Sequence, residues 1–138
     1  MPDGRDGRVV LIVEDEALIR MDLADTFEAA GFKVFQAATA EKAIGILERE
    51  PTIRVVWTDI DLSGSIDGIE LAHHVRERWP PTILLVTSGR IPQRALPAKA
   101  QFLEKPYLDG SLAKAIQGAL SEIAAQCASP GAILVSTN

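Results

Sequence analysis

Apolar residues along this chain follow two alternating spacings. Short runs at 8–13, 32–36, 54–58, 82–86 and 101–103, most of them rich in β-branched residues, are nearly continuous. Between them lie longer stretches in which apolar positions recur every third or fourth residue. Continuous short runs predict strands buried on both faces, and the longer period predicts helices that bury one stripe. Over residues 16–30, Ile19, Leu23, Phe27 and Ala30 share a face while Arg20, Asp22, Asp25 and Glu28 fall elsewhere. Gly31 ends that helix, with Phe32 as the apolar residue beyond its cap. Thr39 is placed to cap a helix through Glu50, with Ala43, Ile44 and Leu47 inward and Pro51 as the stop. A third helix runs from Gly68 to Trp79 on Leu71, Ala72, Val75 and Trp79, and Pro80-Pro81 breaks it. A last one, capped by Asp109 or Ser111, presents Leu112, Ile116, Leu120 and Ile123.

The alternation weakens once. Residues 89–100 contain Pro92 and Pro97 and few periodic apolar positions, so the fourth helix of the series is expected to be shortened or irregular. Residues 1–7 read as a flexible leader, 8–126 as one domain, and 127–138, with Pro130-Gly131, as a tail that is disordered or pairs with an edge. Strands alternating with helices imply parallel strands joined by right-handed crossovers, an α/β doubly wound five-stranded sheet. Ligands bind such sheets outside the carboxyl ends of the strands. Those ends carry the polar residues: Glu14-Asp15-Glu16, Asp59, Thr87 and Lys105-Pro106.

Composition narrows the classes. The chain has 138 residues, 47% hydrophobic and 24% charged, which suits one domain with a single core. No apolar run approaches the roughly 20 residues of a membrane span, and the N-terminus has no apolar stretch that would make a signal peptide. Cys127, the lone cysteine, rules out an internal disulfide and fits a reducing cytoplasm. A net charge of −5 argues against direct DNA binding, which needs a basic face.

The rim residues suit a hard divalent cation and a phosphoryl group. Mg²⁺ takes oxygen ligands and keeps several waters, so Asp15 and Asp59 can supply its carboxylates, with Glu14 acting through water. A carboxylate can also accept a phosphoryl group as an acyl phosphate. Lys105 and the Thr87 hydroxyl then suit neutralising the equatorial oxygens. Taken singly, each residue has a plain structural role: acids at a helix start, a loop aspartate, a surface lysine, a turn threonine. Their order on successive strands favours the chemical reading.

Val-Glu-Asp-Glu at 13–16, Thr-Asp at 58–59, Asp-Gly at 67–68, Thr-Ser-Gly at 87–89 and Lys-Pro at 105–106 together resemble the response-regulator receiver domain of two-component signalling, over residues 8–126. The resemblance implies a flavodoxin-like sheet of strand order 2-1-3-4-5. It implies Asp59 as phospho-acceptor, and Glu14, Asp15, Asp59 and the backbone carbonyl of Asp61 around Mg²⁺. Thr87 and Lys105 would contact the phosphoryl group, Thr87 and Phe102 would be the switch residues, and Lys105–Pro106 would be a cis peptide. The donor would be a sensor histidine kinase or a histidine phosphotransfer protein. The chain would be a cytoplasmic bacterial signalling module rather than an enzyme, a monomer or a weak phosphorylation-dependent dimer.

This chain departs from the family pattern in four places. The loop before Asp67-Gly68 is one residue longer, Asp61 adds a carboxylate near the site, and Gly89 offers no side chain to shield an attacking water. Residues 90–99 are shorter than the usual fourth helix, which puts the surface that signals downstream at 90–102 in a remodelled form. Two other readings compete. Asp59-Ile60-Asp61-Leu62-Ser63 resembles the nucleophile motif of haloacid-dehalogenase-like phosphatases, although it follows the third strand here rather than the first. A phosphorylation-independent binding module is the other. His73-His74 reads as a solvated helix surface, and Trp57 and Trp79 as core.

Overall fold

The computed structural model describes residues 7–107 and 110–136, with side chains described up to residue 126. Five parallel strands, β1 (Val9–Val13), β2 (Lys33–Ala37), β3 (Val55–Asp59), β4 (Ile83–Ser88) and β5 (Gln101–Glu104), form one sheet of order β2-β1-β3-β4-β5. Helices α1 (Ala17–Ala29), α2 (Ala40–Arg49) and α3 (Gly68–Arg78) connect the first four strands, and α4 (Ser111–Ser136) follows β5. The chain steps outward from β1 to β2, then crosses back to β3, so the order reverses between β1 and β3.

Every residue of β1, β3 and β4 is buried, which is why those runs read as continuous apolar stretches. Alternate side chains feed two cores. Val9, Leu11, Val13, Val56, Leu84 and Val86 pack with α2 and α3; Val10, Ile12, Val55, Trp57 and Leu85 pack with α1 and α4. In the second core the rings of Phe32, Phe27, Trp57 and Tyr107 meet edge to face, with centroids 5.2, 5.9 and 5.6 Å apart in turn.

Helix ends follow local chemistry. Thr39 caps α2, its hydroxyl accepting from the Lys42 N–H at 3.2 Å. Asp67 and Glu70 cap α3 reciprocally, at 2.9 and 3.0 Å. Gly31, at φ +93°, ends α1, with the Phe32 N–H returning to the Phe27 carbonyl at 3.0 Å. Gly68 is required by space: a Cβ there would lie 2.0 Å from the Asp59 carbonyl oxygen. The start of α3 is therefore pressed against the end of β3.

Three expectations need correction. The connection 89–100 contains no helix at all rather than a short one. It is held by α3: Arg76 Nε donates to the Ala98 carbonyl at 2.9 Å, His73 Nε2 lies 2.8 Å from the Ala95 carbonyl, and Arg94 pairs with Asp67. His73 thus holds this segment, although it sits on the exposed face its sequence position suggests. Ser111 is the first residue of α4 rather than its cap, and the Gly110 carbonyl accepts the first helical bond from Lys114. The other candidate cap, Asp109, lies outside the described residues. Beyond residue 126, α4 continues to Ser136 instead of giving way to an irregular tail or an added strand. Of the leader, residues 1–6 lie outside the described residues, as do the side chain of Cys127 and residues 137–138. Trp57 is fully buried, whereas Trp79 is half-buried at the end of α3.

Candidate functional site

Backbone geometry brings the site together. Glu14 directly follows β1, and its N–H still pairs with the Ala37 carbonyl at 3.1 Å. Its side chain turns inward and is fully buried. Oε2 accepts from the Glu16 N–H at 3.0 Å, while Oε1 has no hydrogen-bond partner among the described residues and lies 3.7 Å from Lys105 Nζ. Burial is the main force pushing the Glu14 carboxyl up to about 7. The Asp59 charge and Asp15 add to it, and the Glu16 N–H and Lys105 oppose it. Asp15 stays exposed, with Oδ2 accepting from the Ser63 N–H at 3.3 Å.

Asp59 ends β3 and is buried. Its Oδ1 accepts from the Asp61 N–H at 3.0 Å, and its Oδ2 from Lys105 Nζ at 2.8 Å. Burial works to lower the Lys105 ammonium, but the hydrogen bond and charge of Asp59, with Glu14 behind it, outweigh that and raise it. The Lys105–Pro106 peptide is cis.

One carboxylate oxygen from each of Glu14, Asp15 and Asp59 lies within 4.8 Å of the others. Three hard oxygen donors, one of them a buried oxygen without a hydrogen-bond partner, fit a divalent cation such as Mg²⁺. Asp61 joins this group through its N–H. Its carboxylate turns the other way, accepting from Ser88 Oγ at 3.2 Å and facing Arg90 at 3.4 Å.

Thr87 is buried opposite Asp59 in the β3–β4 register. Its Oγ1 donates to the Tyr107 hydroxyl at 3.3 Å. Burial raises Tyr107 above the usual phenol range, partly offset by the Thr87 bond and the Lys105 charge. Phe102 pairs in register with Val86 and packs on the core beneath α2 and α3, while Thr87 pairs with Leu103, which packs on the opposite core. The structure therefore gathers Glu14, Asp15, Asp59, Thr87 and Lys105 at one rim and sets the Phe102 ring on the other face of the sheet from Thr87.

Sequence reasoning missed Tyr107 and Arg90. Tyr107 stands directly after the Lys-Pro motif, but nothing local indicates that its hydroxyl returns to β4. Arg90 sat in a segment without periodicity, which gave no direction for its side chain.

A doubly wound parallel sheet with carboxylates and a lysine at its switch point sets these groups where sheets of this class bind their ligands. A family model for the response regulator receiver domain matches residues 10–117, and the chain belongs to that family: it is a receiver domain of two-component response regulators. It is similar to the response regulator protein FleR of Pseudomonas aeruginosa, at 34% identity over 71% of this chain and 21% of that one. The transcriptional regulatory protein PdtaR of Mycobacterium tuberculosis is 34% identical over 83% of this chain and 57% of its own. The chain thus spans about a fifth of the length of the first and little more than half of the second. Among solved structures, a response regulator receiver protein from Sinorhizobium medicae superposes with a TM-score of 0.74 at 29% identity, over 83% of this chain and 95% of that one. Among the described residues, no helix is long and apolar enough to cross a membrane.

Proposed function

We propose that this receiver accepts a phosphoryl group on Asp59 from a phosphohistidine of a sensor histidine kinase or histidine phosphotransfer protein. The observation that carries this reading is the Lys105–Asp59 contact at 2.8 Å beside the unpartnered Glu14 Oε1. An Asp59 carboxylate oxygen forms the new O–P bond as the donor's N–P bond breaks. The PO₃ group moves, and the N–P electron pair stays on the imidazole nitrogen.

Glu14, Asp15, Asp59 and the Asp61 carbonyl would hold Mg²⁺, which when bound supplies positive charge beside the transferring oxygens. Lys105 leaves Asp59 Oδ2 for a phosphoryl oxygen and keeps its charge at the same place. Thr87 donates its hydroxyl proton to a second phosphoryl oxygen. Phe102 packs on the same core as Leu96 and Ala100, so a change in its rotamer would reach the irregular segment. Residues 90–102 are then the surface that a downstream partner reads. Exchange or chemical-shift changes that skipped this stretch on phosphorylation would count against that surface.

The protein acts in the cytoplasm as a stoichiometric acceptor rather than an enzyme, as a monomer or weak phosphorylation-dependent dimer, without gripping DNA itself. The Asp61 carboxylate faces Ser88 and Arg90 rather than the acidic cluster, which disfavours the phosphatase reading. The test is labelling by acetyl phosphate with Mg²⁺, followed by mass mapping. One base-labile phosphoryl group on Asp59, absent from Asp59→Asn, is expected. Persistent labelling of that variant, or turnover of a phosphate ester far above stoichiometric, would overturn the assignment.

A further inference from the structure

We propose that Tyr107 is a positioning residue that holds the Thr87 hydroxyl away from Asp59 until a phosphoryl group competes for it. The proposal rests on the reading of Asp59 as acceptor and extends it to a residue beyond the site motifs.

The pleat separates the candidates for this role. Directly paired residues of a parallel ladder point to the same face. Val86 pairs with Phe102 and Thr87 with Leu103. Leu103 and Tyr107 pack on the core shared with α1 and α4, and Phe102 on the other. Of Phe102 and Tyr107, the aromatic side chain on the face of Thr87 is therefore Tyr107.

The contact itself sets up a competition. Thr87 Oγ1 donates to Tyr107 Oη at 3.3 Å, and a hydroxyl has one proton to give. Thr87 is fully buried, so water does not substitute for either partner. Donation to a phosphoryl oxygen on Asp59 withdraws that proton from Tyr107 Oη, and leaves Thr87 Oγ1 only an acceptor toward the tyrosine. The tyrosine ring is itself fixed, its edge against Trp57 at 5.6 Å, two residues before Asp59 on the same strand. Release of Thr87 thus leaves a half-buried phenol without its donor, next to Lys105 and against the strand that carries the acceptor.

The full chain is titrated with beryllofluoride in saturating Mg²⁺, as wild type, Tyr107→Phe, Thr87→Ala and the double variant. Removing the competing acceptor should tighten binding by about twofold to tenfold, the range one net hydrogen bond supports, with no change in the Thr87→Ala background. Near-UV circular dichroism checks that the Trp57 ring packing survives in Tyr107→Phe. In the wild type, the Tyr107 ring resonances should shift on beryllofluoride binding, and they should not shift in Thr87→Ala. Unchanged or weaker binding by Tyr107→Phe, an equal gain in the Thr87→Ala background, or static Tyr107 resonances would overturn the proposal. A wild type that fails to bind beryllofluoride would overturn the Asp59 reading as well, so the two failures are distinguishable.

Discussion

Lys105 reaches across the end of β4 to place Nζ 2.8 Å from Asp59 Oδ2, although β3 and β5 are not neighbours in the sheet. The small side chains of Thr87 and Ser88 at the end of β4 leave that span open. The same ammonium lies 3.7 Å from Glu14, so one cation serves two buried carboxylates.

That relationship predicts opposite effects of Lys105→Met on metal and on phosphoryl transfer. Loss of one positive charge a few ångströms from the cluster removes a repulsion on the order of 1–4 kcal/mol, depending on local screening. Mg²⁺ affinity should rise by about tenfold, read by titration calorimetry. Labelling by acetyl phosphate at saturating Mg²⁺ should slow by at least about a hundredfold, as for loss of one preorganised charge-stabilising donor. Parallel movement of the two quantities would contradict this account of the lysine.

Glu14 makes stability depend on pH in a definite direction. In the unfolded chain it ionises near 4.5, and in the fold its carboxyl is pushed up to about 7, chiefly by burial. Between those values the folded state holds the extra proton, so the contribution is fully present below 4.5 and is lost as pH rises through about 7. Without Mg²⁺, urea-unfolding stability should therefore fall across this window, by at most roughly 3 kcal/mol. Glu14→Gln should flatten that slope. Saturating Mg²⁺ should raise the melting temperature more at high pH than at low, because the cation binds the ionised form.

Gly68→Ala tests the packing of α3 against the acceptor strand. The added methyl meets the Asp59 carbonyl oxygen at 2.0 Å and the Ile60 Cα at 2.7 Å, both backbone atoms that cannot rotate aside. A loss of about 3 kcal/mol or more is expected in urea unfolding, with slower labelling of Asp59. A variant of wild-type stability and labelling would show that α3 shifts freely.

Arg76 tests what orders the helix-free connection. Beyond Ala98, it donates to the Pro80 carbonyl at 2.6 Å and the Thr82 carbonyl at 2.7 Å. Arg76→Ala should cost about 1–3 kcal/mol. Amide exchange over residues 94–100 should accelerate by about tenfold or more, while β1 and β3 lose protection only in line with the global change. Exchange unchanged in that stretch would mean that the buried Pro97, rather than Arg76, holds it.

Much of this molecule is legible one segment at a time. The continuous runs of β1, β3 and β4 and the spacing of Leu71, Ala72 and Val75 report burial directly, because one or two packed faces dictate each residue type. Thr39 caps α2 through a bond three residues away, so its role is visible locally. The polar residues at strand ends were identifiable for the same reason: a parallel sheet puts those ends on one rim whatever the details. The Asp67–Glu70 capping box is equally local, but Asp67-Gly68 also belongs to the site motif, which masks the capping role. The continuation of α4 past Pro130-Gly131 ran against the breaker signal those residues carry.

By itself, then, the sequence determined the period of each element, the parallel α/β class and the residue types on the rim, since these follow from short-range sterics and burial. Tertiary structure alone decided which atoms meet. Asp61 could have turned toward the acidic cluster, and the positions of Ser88 and Arg90 draw it away. Either Phe102 or Tyr107 could have approached Thr87; the pleat puts Phe102 on the other face and the Trp57 ring holds Tyr107 near. Such choices depend on contacts between residues 20 or more positions apart, as with Thr87 and Tyr107. No local pattern encodes them, because their energies exist only once the sheet has assembled.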